Sequence, residues 1–423
     1  MSPKGDIWSC AQLLCSSSRV RKTSPVFAIP LFLVFACGDD RAGGASSEAD
    51  TEGSGGTSTG TTSAGASTTD NPTTTMGGSG DASTADPSTS TTAEGTTTTT
   101  TTTGPDTGGD GAARCGDTPP DGAELAPEIP PFGGIGTCPV IETGYYDGFP
   151  GNVMKQSVEG KMLDRTFLVI VPDDIGPDER LPVIFMWHWL GGEAKAFYEK
   201  ADTQNAVNEK RFIAVIPDGR DDLLFKWPFS ALDSQAALEA DFGLFDDMLA
   251  CVNQQFNIDK DCVSSVGVSA GALFTDQLAG GRGQHLASIL SLSGGTGGLI
   301  KPWTAPEHKM PAMVLWGGAN DFCIAINFQD TSHDLEMHHQ QGGHFVLECV
   351  HNCNHSTPPF PVPPGMTAFA PLWDFFLDHP YWLAPGDSPY LESGLPESMP
   401  DWCAIGVGNA VPPPEKCDLN ECS

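Results

Sequence analysis

Positive charge is scarce in this chain: 21 Lys and Arg stand against 54 Asp and Glu, a formal net charge of -33. A nucleic-acid-binding face needs clustered cations to displace phosphate counterions, and the sequence holds no such cluster. The imbalance persists beyond residue 113, with 16 basic and 42 acidic residues, so polyanionic substrates are disfavoured as well. Long apolar runs are also missing. The run at 25–36 (PVFAIPLFLVFA) is about a dozen residues, well short of the roughly 20 that a membrane-spanning helix needs. There is no internal repeat and no Cys-x-x-Cys pair. The nearest approach to a zinc set is Cys349-x-x-x-Cys353 with His351 and His355 interleaved, and oxidation to disulfides is the favoured reading of it. No metal and no cofactor is expected. Residues 41–113, finally, are nearly all Thr, Ser, Gly, Ala and Asp. With almost nothing apolar to bury, that stretch reads as disordered.

Turning to what is there, Arg19, Arg21 and Lys22 precede the apolar run, which stops at Cys37. That is the layout of an export signal. Val34-Phe35-Ala36-Cys37 resembles a bacterial lipoprotein box, which implies acylation of Cys37 and a protein at the outer membrane or cell surface. The lipid would be its only membrane contact. The expected organisation is a signal at 1–37, a Thr/Ser/Gly-rich linker at 38–113, an α/β domain at 114–385, and a Pro- and Cys-rich tail at 386–423 packed on that domain. As a flexible coil the linker would span roughly 45–50 Å. Ten of the 13 cysteines follow residue 113, an even set that reads as disulfides in an exported monomer. Their connectivity stays open.

Within the domain, short continuous apolar runs alternate with helical patterns. Residues 166–171, 183–187, 212–216, 262–268, 288–292, 312–316 and 345–350 read as buried strands. Residues 236–256, 270–279, 330–341 and 368–377 read as helices. Such alternation predicts a mostly parallel sheet covered on both faces, and after Pro385 the pattern dissolves.

Gly267-Val268-Ser269-Ala270-Gly271 is a G-x-S-x-G, and so is Gly56-Thr57-Ser58-Thr59-Gly60 in the low-complexity tract. Context separates them. Ser269 follows a strand and opens a helix, the setting of a nucleophile elbow, where glycines admit a tight turn and the helix N-terminus offers N–H groups to an oxyanion. A serine needs a base, and the base an orienting acid. Asp321 lies in the loop after strand 312–316, with Asp330 and Asp334 as exposed helical alternatives. His355 lies in the loop after the last strand. His351 and His344 are its rivals, and His333, His338 and His339 read as surface residues of a helix. Strand 183–187 runs into His188-Trp189-Leu190-Gly191-Gly192, so the backbone N–H groups of Leu190 and Ala270 are the candidate oxyanion donors. Trp189 and Trp227 are the candidate substrate contacts, with Trp187 and Phe229 as further aromatics near the pocket.

Together these residues resemble the esterase and polyhydroxybutyrate-depolymerase family, which includes feruloyl and acetylxylan esterases of the first carbohydrate-esterase family. The likeness runs from about Arg165 to Pro380. It comprises Arg165-Thr-Phe-Leu-Val-Ile-Val-Pro172, the His188–Gly192 turn, Ile216-Pro-Asp-Gly219 with Trp227 beyond, and Asp241-Phe-Gly243. The Ser269 elbow, Asp321, His355 and Trp373-Asp-Phe-Phe-Leu-Asp-His-Pro380 complete it. The resemblance implies an α/β-hydrolase fold and a cofactor-free serine esterase acting on plant-wall polysaccharide esters, hydroxycinnamates or polyesters. It also implies a disulfide between Cys251 and Cys262. One departure is Trp189, where family members usually carry Gly. That bulk, with the tether and the aromatics, motivates the alternative of an inactive polysaccharide-binding module on a hydrolase scaffold. A peptidase on the same fold is a third reading, favoured by nothing in the residues.

Overall fold

The computed structural model describes residues 113–416. The export signal with Cys37, the linker short of its last residue, Cys417 and Cys422 lie outside the described residues. In chain order the elements are β1 (Asn152–Val158), β2 (Lys161–Ile170), β3 (Leu181–Trp187), α1 (Ala194–Lys200), α2 (Thr203–Lys210), β4 (Ile213–Pro217) and α3 (Gln235–Gln255). Then come β5 (Ile258–Val268), α4 (Ala270–Arg282), β6 (Ser288–Leu292), β7 (Ala312–Trp316), and a two-strand hairpin of β8 (Phe322–Cys323) and β9 (Ile326–Asn327). The chain continues through α5 (Phe328–Gly342), β10 (Val346–Val350), α6 (Ala370–Leu377), α7 (Pro389–Ser393) and β11 (Cys403–Ile405).

Nine strands form one sheet in the order β1-β2-β4-β3-β5-β6-β7-β10-β11. From β4 through β10 all neighbours are parallel, while β1, β2 and β11 pair antiparallel with theirs. This is the mostly parallel sheet that the alternation predicts, in the α/β-hydrolase arrangement that the resemblance implies. Strand composition explains the layering. Every residue of β3, β4, β6, β7 and β10 is buried, as a strand covered on both faces requires. Because strand side chains alternate, Val183, Phe185 and Trp187 of β3 enter the core shared with α3 and α4. Ile184 and Met186 enter the core on the other face, where α6 contributes Leu372, Trp373, Phe375 and Phe376. Edge strand β1 instead shows alternating burial.

The predicted strands are present with ends displaced by a few residues. β1, α1 and α2 are additional to the expected elements, and two further differences are larger. The tail does not lack structure throughout: α7 forms behind its N-cap Ser388, whose hydroxyl accepts from the Tyr390 N–H, and β11 extends the sheet beside β10. The cysteine pairing also differs from the implied one. Cys251 bonds to Cys138 and Cys262 to Cys115, while Cys349 bonds to Cys403. Cys251 and Cys262 step back from one turn at different rates. A helix rises about 1.5 Å per residue and a strand about 3.3 Å, so the two thiols part in height as well as in layer. Cys323 and Cys353 are disulfide-bonded too, which excludes zinc at Cys349 and Cys353.

Cys115–Cys262 anchors the segment entering the domain to a central strand and closes a loop with a sequence separation of 147. Loop-closure entropy for such a length gives an upper value of about 5 kcal/mol. Replacing both cysteines by alanine is expected to cost about 2–5 kcal/mol in reversible denaturant unfolding, and a loss under 1 kcal/mol would refute the anchoring role.

Candidate active site

The parallel strands β3, β5, β6, β7 and β10 all deliver loops to the same end of the sheet, where α/β sheets collect their functional groups. At the end of β5 the chain turns into α4 through Ser269, held at φ 54° and ψ -117°, a positive φ that non-glycine residues rarely adopt. Its neighbours make the turn possible. A Cβ on Gly267 would lie 2.1 Å from the Gly271 carbonyl oxygen, and one on Gly271 would lie 2.0 Å from that of Trp187. Only glycine fits at either position.

Ser269 Oγ lies 2.9 Å from His355 Nε2, and His355 Nδ1 lies 2.6 Å from Asp321 Oδ1. The structure thus brings together the three residues singled out in the sequence. Asp321 is fully buried, and its Oδ2 accepts from the Ser293 hydroxyl at 2.7 Å and from the Gly317 N–H at 2.8 Å. Burial alone would raise this carboxyl. The bond and charge of His355, joined by Gly317 and Ser293, outweigh burial and hold it below its ordinary value. Phe328, the first residue of α5, stacks on the His355 ring with centroids 4.4 Å apart.

The rival histidines are otherwise engaged. His351 is buried and pushed down to about 4, and its Nδ1 accepts from the Cys353 N–H. His344 is directed to the Met310 carbonyl. His339 is not on the surface as expected: it is fully buried, and burial drives its pKa well below the ordinary histidine value. Asp330 and Asp334 are exposed on α5.

The loop after β3 is a tight turn in which the Gly192 N–H donates to the Trp189 carbonyl at 2.9 Å, with Gly191 at φ 76°. His188 anchors it. Its buried ring accepts from the Gly219 N–H at Nε2, leaving Nδ1 to donate to the Trp189 carbonyl at 2.8 Å. Burial lowers the His188 pKa, in keeping with a neutral ring. The N–H groups of Leu190 and Ala270 donate to no other group among the described residues, and both residues line a cleft with Ser269. Leu224, Phe225, Leu273 and Phe328 complete much of its apolar wall. A second apolar cleft is lined by His355, Trp189, Phe197, Leu292 and Trp373. The indole of Trp189 is therefore a wall of that cleft, and the turn it occupies forms normally.

Trp227 requires a correction. It is fully buried, lines neither cleft, and donates its indole N–H to the His188 carbonyl at 2.8 Å. It holds the turn after β3 from beneath, and its buried ring faces neither cleft. Trp187 is likewise buried, bonded to Ser265 Oγ, whereas Phe229 does reach the Ser269 cleft. Sequence reasoning missed Ser293, Phe328 and Asp276. Nothing in an isolated Ser or Phe marks such a contact; Asp276 in an otherwise apolar helix face was the available signal. Its Oδ2 accepts from Ser291 Oγ and the Gly295 N–H, and burial pushes its pKa up to about 8.

No family model matches the chain. A feruloyl esterase D of Neurospora crassa is 25% identical over 175 residues, which cover 39% of this chain and 54% of that protein. The chain thus spans about half the length of the curated relative it matches, and over that stretch it is similar to an esterase of the kind the motifs resemble. Among solved structures, native sOPH aligns with a TM-score of 0.46 at 16% identity, covering 62% of this chain and 97% of that one. An acetyl xylan esterase from Aspergillus awamori aligns with a TM-score of 0.34 at 15% identity, covering 43% of this chain and 85% of that one.

Two outcomes are expected. Trp227→Phe keeps an aromatic ring but removes the donor to His188, so the rate at which a fluorophosphonate labels Ser269 should fall about tenfold with folding intact; an unchanged rate would remove Trp227 from the positioning role. Asp276 binds its proton more tightly folded than unfolded. Its contribution to stability is therefore fully present below pH 4, the unfolded value being about 3.9, and is lost as pH rises through about 8. Asp276→Asn should flatten the decline of unfolding free energy across that window, measured by urea titration at a series of pH values.

Proposed function

We propose that the chain is a serine esterase in which Ser269 is the nucleophile, His355 the general base and Asp321 the orienting acid. The observation that carries this reading is the hydrogen-bonded chain from Ser269 Oγ through His355 to a buried Asp321. As Ser269 Oγ attacks an ester carbonyl carbon, its proton passes to His355 Nε2. The N–H groups of Leu190 and Ala270 receive the oxyanion of the tetrahedral intermediate, with the N-terminus of α4 adding its dipole. Collapse expels the alcohol, protonated by His355, and leaves an acyl-enzyme on Ser269. His355 then draws a proton from water, whose oxygen attacks the acyl carbon; collapse breaks the bond to Ser269 Oγ, which takes the proton back from His355 as the carboxylic acid leaves. Asp321 stays ionised throughout and compensates the charge that His355 acquires.

The two apolar clefts suit an apolar or aromatic acyl group, and the similarity to a feruloyl esterase makes feruloyl esters of plant-wall polysaccharide the first substrates to try. Acetyl and hydroxybutyrate esters follow. Disulfides fit an oxidising compartment, in keeping with export and a lipid anchor on Cys37. In this reading the enzyme is a monomer at the cell surface.

A fluorescent fluorophosphonate reacts with a serine only where a base and an oxyanion site activate it. Label should map to Ser269 and vanish in His355→Ala, and Ser269→Ala should lower ester turnover by roughly 10⁴-fold or more. A folded chain that takes no label and turns over no ester would replace this reading by the polysaccharide-binding module.

A further inference from the structure

Away from that site, two carboxylates are buried where the described residues give them no cation. Glu336 of α5 and Glu348 of β10 are 0% and 1% exposed. Glu348 is the only charged residue of its strand, Val-Leu-Glu-Cys-Val, all of it buried. Among the described residues neither carboxylate forms an ion pair with Lys or Arg. The charged-group contact of Glu336 is with His333, whose Nδ1 lies 3.2 Å from Glu336 Oε2. Glu336 Oε1 is buried without any hydrogen-bond partner. Glu348 Oε2 accepts from the Ala410 N–H at 2.7 Å, which fixes the orientation of its carboxylate.

One donor atom from each of His333, Glu336 and Glu348 lies within 4.8 Å of the other two. His333 and Glu336 are three residues apart on α5 and so share a face, and α5 packs on β10. Two facing carboxylates repel unless something positive lies between them, and an orphaned oxygen in such a place asks for a ligand. The His333 side chain is 40% exposed, which opens the cluster to solvent, and its ring meets that of Trp316 in a T-shaped contact with centroids 4.9 Å apart.

We propose that His333, Glu336 and Glu348 form a binding site for a divalent transition-metal cation of the zinc class, held by one imidazole nitrogen and two carboxylate oxygens. The donor set favours zinc over the harder alternatives: calcium takes six to eight oxygens and magnesium keeps several waters in a strict octahedron, whereas an imidazole beside carboxylates suits zinc. The Ala410 contact then acts as the outer-shell bond that orients a ligating carboxylate. The ion fastens α5 to β10 and, through Ala410, to the tail. Its place is structural, since α5 carries Phe328 against His355 but the cluster is separate from the Ser269 cleft.

The test is calorimetric titration of the chelator-treated full chain with Zn²⁺, with Ca²⁺ and Mg²⁺ as controls. One equivalent of Zn²⁺ should bind and raise the thermal midpoint, with little uptake of the controls. X-ray absorption at the zinc edge should show nitrogen and oxygen ligands without sulfur. His333→Ala, Glu336→Gln and Glu348→Gln should each weaken binding by roughly 10- to 100-fold or more, whereas replacement of the exposed His338 by alanine should not. His333 is partly exposed, so its variant folds even where a buried glutamate variant does not. No stoichiometric uptake, or uptake indifferent to all three variants, would overturn the proposal and leave the two glutamates sharing a proton.

Discussion

The backbone at Ser269 is the constraint on which the rest of the site depends. A positive φ at a non-glycine residue costs on the order of 1–3 kcal/mol and persists only where the surroundings leave no alternative. Here β5 is locked between β3 and β6, and α4 lies against the sheet so closely that Gly271 touches the carbonyls of Trp187 and His188. The Ser269 N–H also donates to the Leu292 carbonyl at 2.8 Å, tying the turn to the end of β6. One close approach of a helix to two strand ends thus settles three things. It sets the direction of the serine oxygen, the start of α4, and the position of the β3 exit loop above it.

That geometry has use only if the remaining loops arrive at the same place, and parallel pairing makes them do so. β6 leads to Ser293, β7 leads to Gly317 and Asp321, and the loop after β10 carries His355. Ser293 and Gly317 both donate to the Asp321 carboxylate, so two strands hold the acid that a third strand's histidine meets. On the other side, His188 and Trp227 hold the turn containing Leu190 by three hydrogen bonds around a single residue. The disulfides act at the periphery of this arrangement. Cys349–Cys403 fixes the tail strand to the last parallel strand, directly before the loop that carries His355.

The fold was legible because fully buried parallel strands leave unbroken apolar runs, and because helices between them have a length and period of their own. Ser269, Asp321 and His355 were legible for a related reason: each follows a strand, and strand ends are easily found. What sequence could not show is direction. Trp227 and Trp189 are both aromatic residues in loops at the same end of the sheet. One points its indole down to a carbonyl and is wholly buried, while the other walls a cleft. His339 belongs to an apparently polar helix, yet the α5 face it occupies turns inward. The cysteines illustrate the same limit, because neighbours in sequence across a helix-to-strand turn are not neighbours in height. Short elements such as α7 and β11 depend on contacts with the domain and leave no periodic trace.

Asp321 and Asp276 make the electrostatic logic explicit. Both are fully buried near the ends of the same strands, and each accepts one serine hydroxyl and one backbone N–H. Yet burial wins at Asp276, raising it to about 8, whereas Asp321 is held below its ordinary value. Since the neutral donors are matched, the difference lies in the imidazole of His355, which only Asp321 touches. Two hydrogen bonds do not keep a carboxylate ionised at this depth; a group able to carry positive charge does. The converse follows in the proposed reaction, where the positive charge on His355 after it takes the Ser269 proton is met by Asp321. Acid and base therefore act as one unit: removing His355 costs nearly what removing both would, removing Asp321 costs less, and their separate effects do not add.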